Sequence, residues 1–135
     1  MIELNHGAFH YSFRHHLIGA VPDVEALQRL LEVARAFGVP DENVTVLFGE
    51  AGERWLDMDG ERHGVVGRFV RLTQGMTDEH AELRRYCEYL ATSYFVVAIQ
   101  VPRTSLPFDD LVGAFRTVGA RDVQYFGPWV IEQER

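Results

Sequence analysis

Four histidines, His6, His10, His15 and His16, stand within eleven residues near the start of the chain. Imidazole is a common ligand for zinc, nickel and copper, so these four are the candidate metal site. The fixed ligand spacings of a structural zinc site are missing, and no cysteine stands among them. On a strand, His15 and His16 would point to opposite faces, so at most one joins a given site. A polar arm with scattered histidines explains the same residues, and the expectation is a chain without metal or other cofactor.

A second constellation is cationic. Arg68 and Arg71 lie three apart in the stretch Gly64 to Leu72, where Val65, Val66, Phe69, Val70 and Leu72 predict a short helix. At that spacing the two arginines would share a helix face. Arg84 and Arg85 would approach from the next helix, with His63 and His80 nearby. Convergent guanidiniums grip carboxylate or phosphate bidentately, so a small anionic ligand is the partner this cluster suggests. Tyr86 or Tyr125 would orient it. The competing reading is that Glu79, Glu82 and Glu88 neutralise the arginines in surface pairs of little energy.

Other reactive residue types have local explanations. Cys87 sits inside an apolar helical stripe, where a buried, inert thiol is the default. Asp57 and Asp59 flank a turn at Gly60, and Asp109 and Asp110 open a helix. Tyr125, Phe126 and Trp129 would line a pocket for a flat ligand, or equally a core or an interface. No Ser–His–Asp ordering, nucleotide glycine loop or calcium loop is visible.

The elements that must hold these residues repeat. His16 to Val21 reads as a buried strand. Pro22, Asp23 and Glu25 then start a helix whose stripe is Val24, Leu27, Leu30, Leu31, Ala34 and Phe37; Gly38 and Pro40 end it, and the strand Val44 to Phe48 follows. The last third has the same order: strand 94–101, loop 102–107, a helix through Phe108, Leu111, Val112, Phe115 and Val118, then Gly119 and the strand 122–126. Phe37-Gly38-Val39 matches Val118-Gly119-Ala120, and Phe48-Gly49 matches Phe126-Gly127. Between the halves, residues 50–92 form an insertion far longer than a usual connection, ending in an amphipathic helix through Leu83, Tyr86, Cys87 and Leu90.

Two strand–helix–strand halves with right-handed crossovers predict an α+β, ferredoxin-like βαβ–βαβ sandwich. Its sheet would have four antiparallel strands, 16–21 and 94–101 central and the other two at the edges, in one domain: 16–49, the helical insertion 50–92, and 93–132. Strand 94–101 is apolar on both alternations, so both sheet faces need cover. The insertion, residues 1–14 or a second subunit would supply it, and a homodimer is the favoured expectation.

Composition narrows the function classes. The 135 residues carry 13 basic and 20 acidic side chains, a net charge of −7, which disfavours nucleic acid. Every basic residue is arginine, so chemistry that needs a lysine amine is excluded. No apolar run is long enough to span a bilayer, and residues 1–16 hold no basic-then-apolar secretory pattern. With a single cysteine, this points to the cytoplasm.

One further pattern runs from Arg62-His63-Gly64 through Arg68, Arg71 and Tyr86 to Phe95-Val96-Val97-Ala98, and closes with residues 118–129, VGARDVQYFGPW. Over about residues 16–132 the chain resembles the small bacterial general stress (heat-induced stress) protein family and its uncharacterised relatives. Such proteins often carry a glycine before the third strand, where this chain has Ala91-Thr92-Ser93. The resemblance implies a strand–helix–strand pair around a helical middle and no catalytic residues. The first reading is therefore a stress-associated, non-enzymatic interaction or ligand-sensing module. The alternatives are an enzyme or binding protein for a small anionic metabolite, using His63, Arg68 and Arg71, and a metal-binding protein using the N-terminal histidines.

Overall fold

Asp23 fixes where the first helix begins. Its carboxylate accepts the Ala26 N–H at 2.8 Å, and Glu25 in the first turn complements the helix dipole. The helix, α1 (Val24–Ala36), buries Ala26, Leu27, Leu30, Leu31 and Ala34 on one side. It ends at Gly38, whose φ of +84° suits a residue without a Cβ. The second helical copy ends the same way. Gly119 has a φ of +82°, and the three closing bonds correspond one for one. Phe37 N–H to Val33 O, Gly38 N–H to Arg35 O and Val39 N–H to Ala34 O match Val118 to Ala114, Gly119 to Arg116 and Ala120 to Phe115. The internal repeat therefore extends to individual cap bonds.

The computed structural model describes residues 2–3, 15–52, 68–71, 84–126 and 131–133. The chain is α+β. Among the described residues the elements in order are β1 (Ile2–Glu3), β2 (His16–Val21), α1, β3 (Val44–Phe48), β4 (Arg68–Arg71), α2 (Arg84–Leu90), β5 (Phe95–Gln100), α3 (Phe108–Thr117), β6 (Arg121–Phe126) and β7 (Ile131–Gln133), with a 3-10 turn at Asp41–Asn43 before β3. The strands form one mixed sheet in the order β1-β4-β3-β5-β2-β6-β7. β2 lies antiparallel against β5 from His16↔Gln100 to Val21↔Phe95, as the repeat demands.

Two expectations are corrected. The sheet holds more than four strands and is not wholly antiparallel: β4 runs parallel to both β3 and β1, and β7 extends β6. The second and fourth strands of the repeat are therefore not edges. Residues 68–71 are a strand, not a helix, paired from Thr45↔Arg68 to Phe48↔Arg71. Phe69 and Val70 explain why. They are buried in cores on opposite sides of the sheet, the two-residue alternation of a strand covered on both faces. A short apolar run carries no periodicity that separates helix from strand, and the open side of β3 supplies the backbone partners that decide it.

The sheet has cores on both sides. One, under α1 and α3, gathers Leu17, Val21, Leu27, Leu30, Val97, Ile99, Leu111, Phe115 and Tyr125. Gly19 faces it because nothing larger fits: a Cβ there would stand 2.7 Å from the Phe115 ring. The opposite core joins Ile18, Ala20, Val96 and Ala98 to Tyr86 and Leu90 of α2. The residues of this second apolar face, which motivated the expected homodimer, are buried in the single chain, with Tyr86 and Leu90 of α2 among their neighbours. Among the described residues, no helix is long and apolar enough to cross a membrane.

Candidate functional site

The sheet's main irregularity lies where β6 meets β2. The register steps from Ile18↔Gln124 to Ala20↔Arg121, so β6 carries one extra residue. Asp122 takes up the excess with a φ of +51°, in the left-handed region that aspartate tolerates better than most residues. Two tyrosines from α2, one helical turn apart, meet this bulge. The Tyr86 hydroxyl donates to the Asp122 carbonyl at 2.8 Å and lies 3.3 Å from Gln124 Oε1. The Tyr89 hydroxyl donates to the Asp122 carboxylate at 2.6 Å. That hydrogen bond first, then burial and the carboxylate's charge, push the Tyr89 phenol above its ordinary pKa, while Arg121 pulls the other way.

The end of α2 shapes the wall beside this pair. The Tyr89 carbonyl accepts from the N–H groups of Thr92 and Tyr94 and from the Thr92 hydroxyl at 2.9–3.1 Å. Ser93 supports that turn with a φ of +70°, in the left-handed region. The Tyr94 ring comes back against Tyr89, with centroids 5.0 Å apart and planes tilted by 51°. The result is an open cleft of about 380 Å³ lined by Glu88, Tyr89, Thr92, Tyr94, Arg121 and Asp122. A neighbouring depression of about 470 Å³ shares Tyr89, Arg121 and Asp122 and reaches Gly119 and Ala120. Chemically the cleft offers two aromatic rings, a phenol oxygen fixed by its bond to Asp122, and exposed charges of both signs.

Of the residues singled out from sequence, the two described tyrosines do not meet. Tyr86 is fully buried beneath the bulge, in the core on the α2 side. Tyr125 belongs to the core under α1 and α3, so the sheet separates the two. The Tyr125 hydroxyl donates to Val101 O at 3.0 Å, accepts the Arg103 N–H at 3.1 Å and stands 3.5 Å from His15 Nδ1. Its ring meets Phe108 edge-on at 5.0 Å, and the Arg103 guanidinium sits over Phe108 at 5.6 Å. His15 is an exposed turn residue with a φ of +61°, and His16 is buried in β2. Arg68 and Arg71 fall on β4, so the helical spacing that paired them does not apply. Their side chains and those of Arg84, Arg85 and Cys87 lie outside the described residues, as do His6, His10, His63, His80, Asp57, Asp59 and Trp129. Asp109 and Asp110 occupy the first turn of α3, exposed, as expected of helix-opening acids. Among the described residues, no three histidine, cysteine or acidic side chains gather as a metal site.

Sequence reasoning missed Glu88, Tyr89, Tyr94, Arg121 and Asp122. Tyr86 and Tyr89 are three apart on a helix, a visible pairing, but the bulge that receives them has no sequence signature of its own. No protein-family model, curated protein or solved structure matches the chain.

Proposed function

We propose that this chain is a cytoplasmic, non-enzymatic ligand-sensing module, related to the small bacterial general stress proteins and built on a ferredoxin-like βαβ–βαβ sheet. The antiparallel order β3-β5-β2-β6 supports the ferredoxin-like reading, because a split pair of right-handed βαβ units generates that order. On this view β1, β4 and β7 are additions to a duplicated core. The observation that carries the functional reading is the cleft over the β6 bulge. The Tyr89 phenol gives its one proton to the Asp122 carboxylate, which raises its pKa and fixes the ring, so it faces a ligand as a held acceptor rather than as a nucleophile or base. Aromatic rings and exposed charges around a phenol fixed in place suit holding a ligand.

The homodimer expected from the apolar second face is a separate proposal, and this reading concerns a cleft within the single chain. A thermal-shift screen of small metabolites and metal ions tests it, because a ligand that binds only the folded state raises the apparent melting temperature. Stabilising compounds are expected to lose their effect in Tyr94→Ala and Arg121→Ala. If their effect is unchanged in both variants, the cleft is not the site.

A further inference from the structure

Glu88 and Arg121 line the same cleft with opposite charges, yet they do not pair. Among the described residues, neither side chain has a hydrogen bond or ion pair. Both are exposed, one at the last turn of α2 and the other at the first residue of β6. The Tyr89 and Tyr94 rings, packed at 5.0 Å, line the cleft with them.

Each end has its own chemistry. Arg121 offers a planar fork of donors that matches a carboxylate. Glu88 offers a carboxylate acceptor beside the carbonyl end of α2, which carries partial negative charge. Tyrosine faces attract an ammonium group as well. A ligand with a single charge would satisfy one end and leave the other unused. A volume of about 380 Å³ lies at the small end of ligand sites.

We propose that the cleft binds a small zwitterion, its carboxylate on Arg121 and its alkylammonium group against Glu88 and the tyrosine faces. This rests on the cleft being a ligand site and names the ligand class.

The test is amide NMR titration of the full-length, isotope-labelled chain. The probes are the ω-amino acids from glycine to 5-aminovalerate, each against the alkanoate and the alkylamine of matching chain length. At least one amino acid is expected to shift the Glu88, Tyr89, Thr92 and Arg121 amides saturably. It should bind about fivefold more tightly than either singly charged analogue, the factor one exposed charge contact supplies. Arg121→Gln should erase the advantage over the alkylamine, and Glu88→Gln the advantage over the alkanoate. Both positions are exposed, so both variants keep the fold. Alkanoates that bind as tightly as amino acids would overturn the zwitterion while leaving the cleft as a simple anion site. Alkylamines that bind as tightly would overturn it in favour of a cation site. If no probe shifts the cleft amides, the zwitterion fails, and the thermal-shift screen decides separately whether the cleft takes any ligand.

Discussion

The two faces of the sheet are built from different materials. Under α1 and α3 the core is almost wholly aliphatic and aromatic, from Leu17 and Val97 to Leu30 and Phe115. Tyr125 is its polar member, and its hydroxyl is spent on the Val101 carbonyl and the Arg103 amide. On the other face α2 is fastened by directional bonds as well as contact. Tyr86 and Tyr89 reach the carbonyl and the carboxylate of one residue, Asp122, at a bulge. Apolar burial is large but non-directional, whereas a hydrogen bond fixes distance and angle. The duplicated helices thus stabilise the sheet, and the inserted one places chemical groups at its irregular point.

The largest expected effect falls on the aliphatic face. Phe115 is fully buried and packs against Gly19, so Phe115→Ala should cost about 3–5 kcal/mol in denaturant unfolding. Gly19→Ala drives a Cβ toward the same ring and should cost about 1–3 kcal/mol, partly recovered in the double variant with Phe115→Leu. On the α2 face, Tyr86→Phe keeps the ring but removes the hydroxyl's bond to the Asp122 carbonyl, at about 1–2 kcal/mol. Amide shifts in Tyr86→Phe should concentrate on residues 120–124 and the end of α2. A Tyr86→Phe penalty as large as that of Phe115→Ala, with shifts spread over both faces, would erase the contrast.

The duplicated part of the molecule was the part legible in sequence. Strand alternation, helical stripes and the glycines at 38 and 119 are local signals, and each half supplied an independent copy of them. The paired cap bonds at Phe37-Gly38-Val39 and Val118-Gly119-Ala120 show why: the same local bonds recur. Residues 68–71 were not legible as a strand, because their state depends on β3, a partner distant in sequence. The cleft was less legible still. It depends on a one-residue offset between β2 and β6 and on a left-handed Asp122, and a register offset leaves no trace in composition or spacing. Tyr86 was expected to orient an anionic ligand; in the structure it is fully buried and its hydroxyl holds the bulge from below.

A smaller effect of opposite sign is expected at the turn that closes the cleft. Ser93 has a φ of +70°, and a non-glycine residue there carries roughly 1 kcal/mol of steric cost. Ser93→Gly should relieve part of it and raise stability by a few tenths to about 1 kcal/mol in thermal unfolding, despite the added freedom of the unfolded chain. The equivalent positions after α1 and α3 are already glycine, so Gly38→Ala and Gly119→Ala should lower stability by about 1 kcal/mol each. Ser93→Gly proving destabilising would mean that its side chain, not only its backbone, builds the turn.

The smallest effect is the most specific to the α2 face. Tyr89 has a raised phenol pKa in the folded chain, mainly through its hydrogen bond to Asp122. The folded state therefore holds the proton more tightly than the unfolded state, whose phenol titrates near 10. The resulting stabilisation is fully present below pH about 10 and is lost as pH rises through the higher folded value. Tyr89 is only half-buried, so solvent screening keeps the effect small. Tyr89→Phe should flatten the alkaline limb of the stability–pH curve while changing neutral stability little. Tyr125→Phe, on the opposite face, should lower stability at every pH without that selective flattening. An unchanged alkaline limb in Tyr89→Phe would mean that the phenol–carboxylate bond does not persist in solution, and the contrast between the faces would then rest on Tyr86 alone.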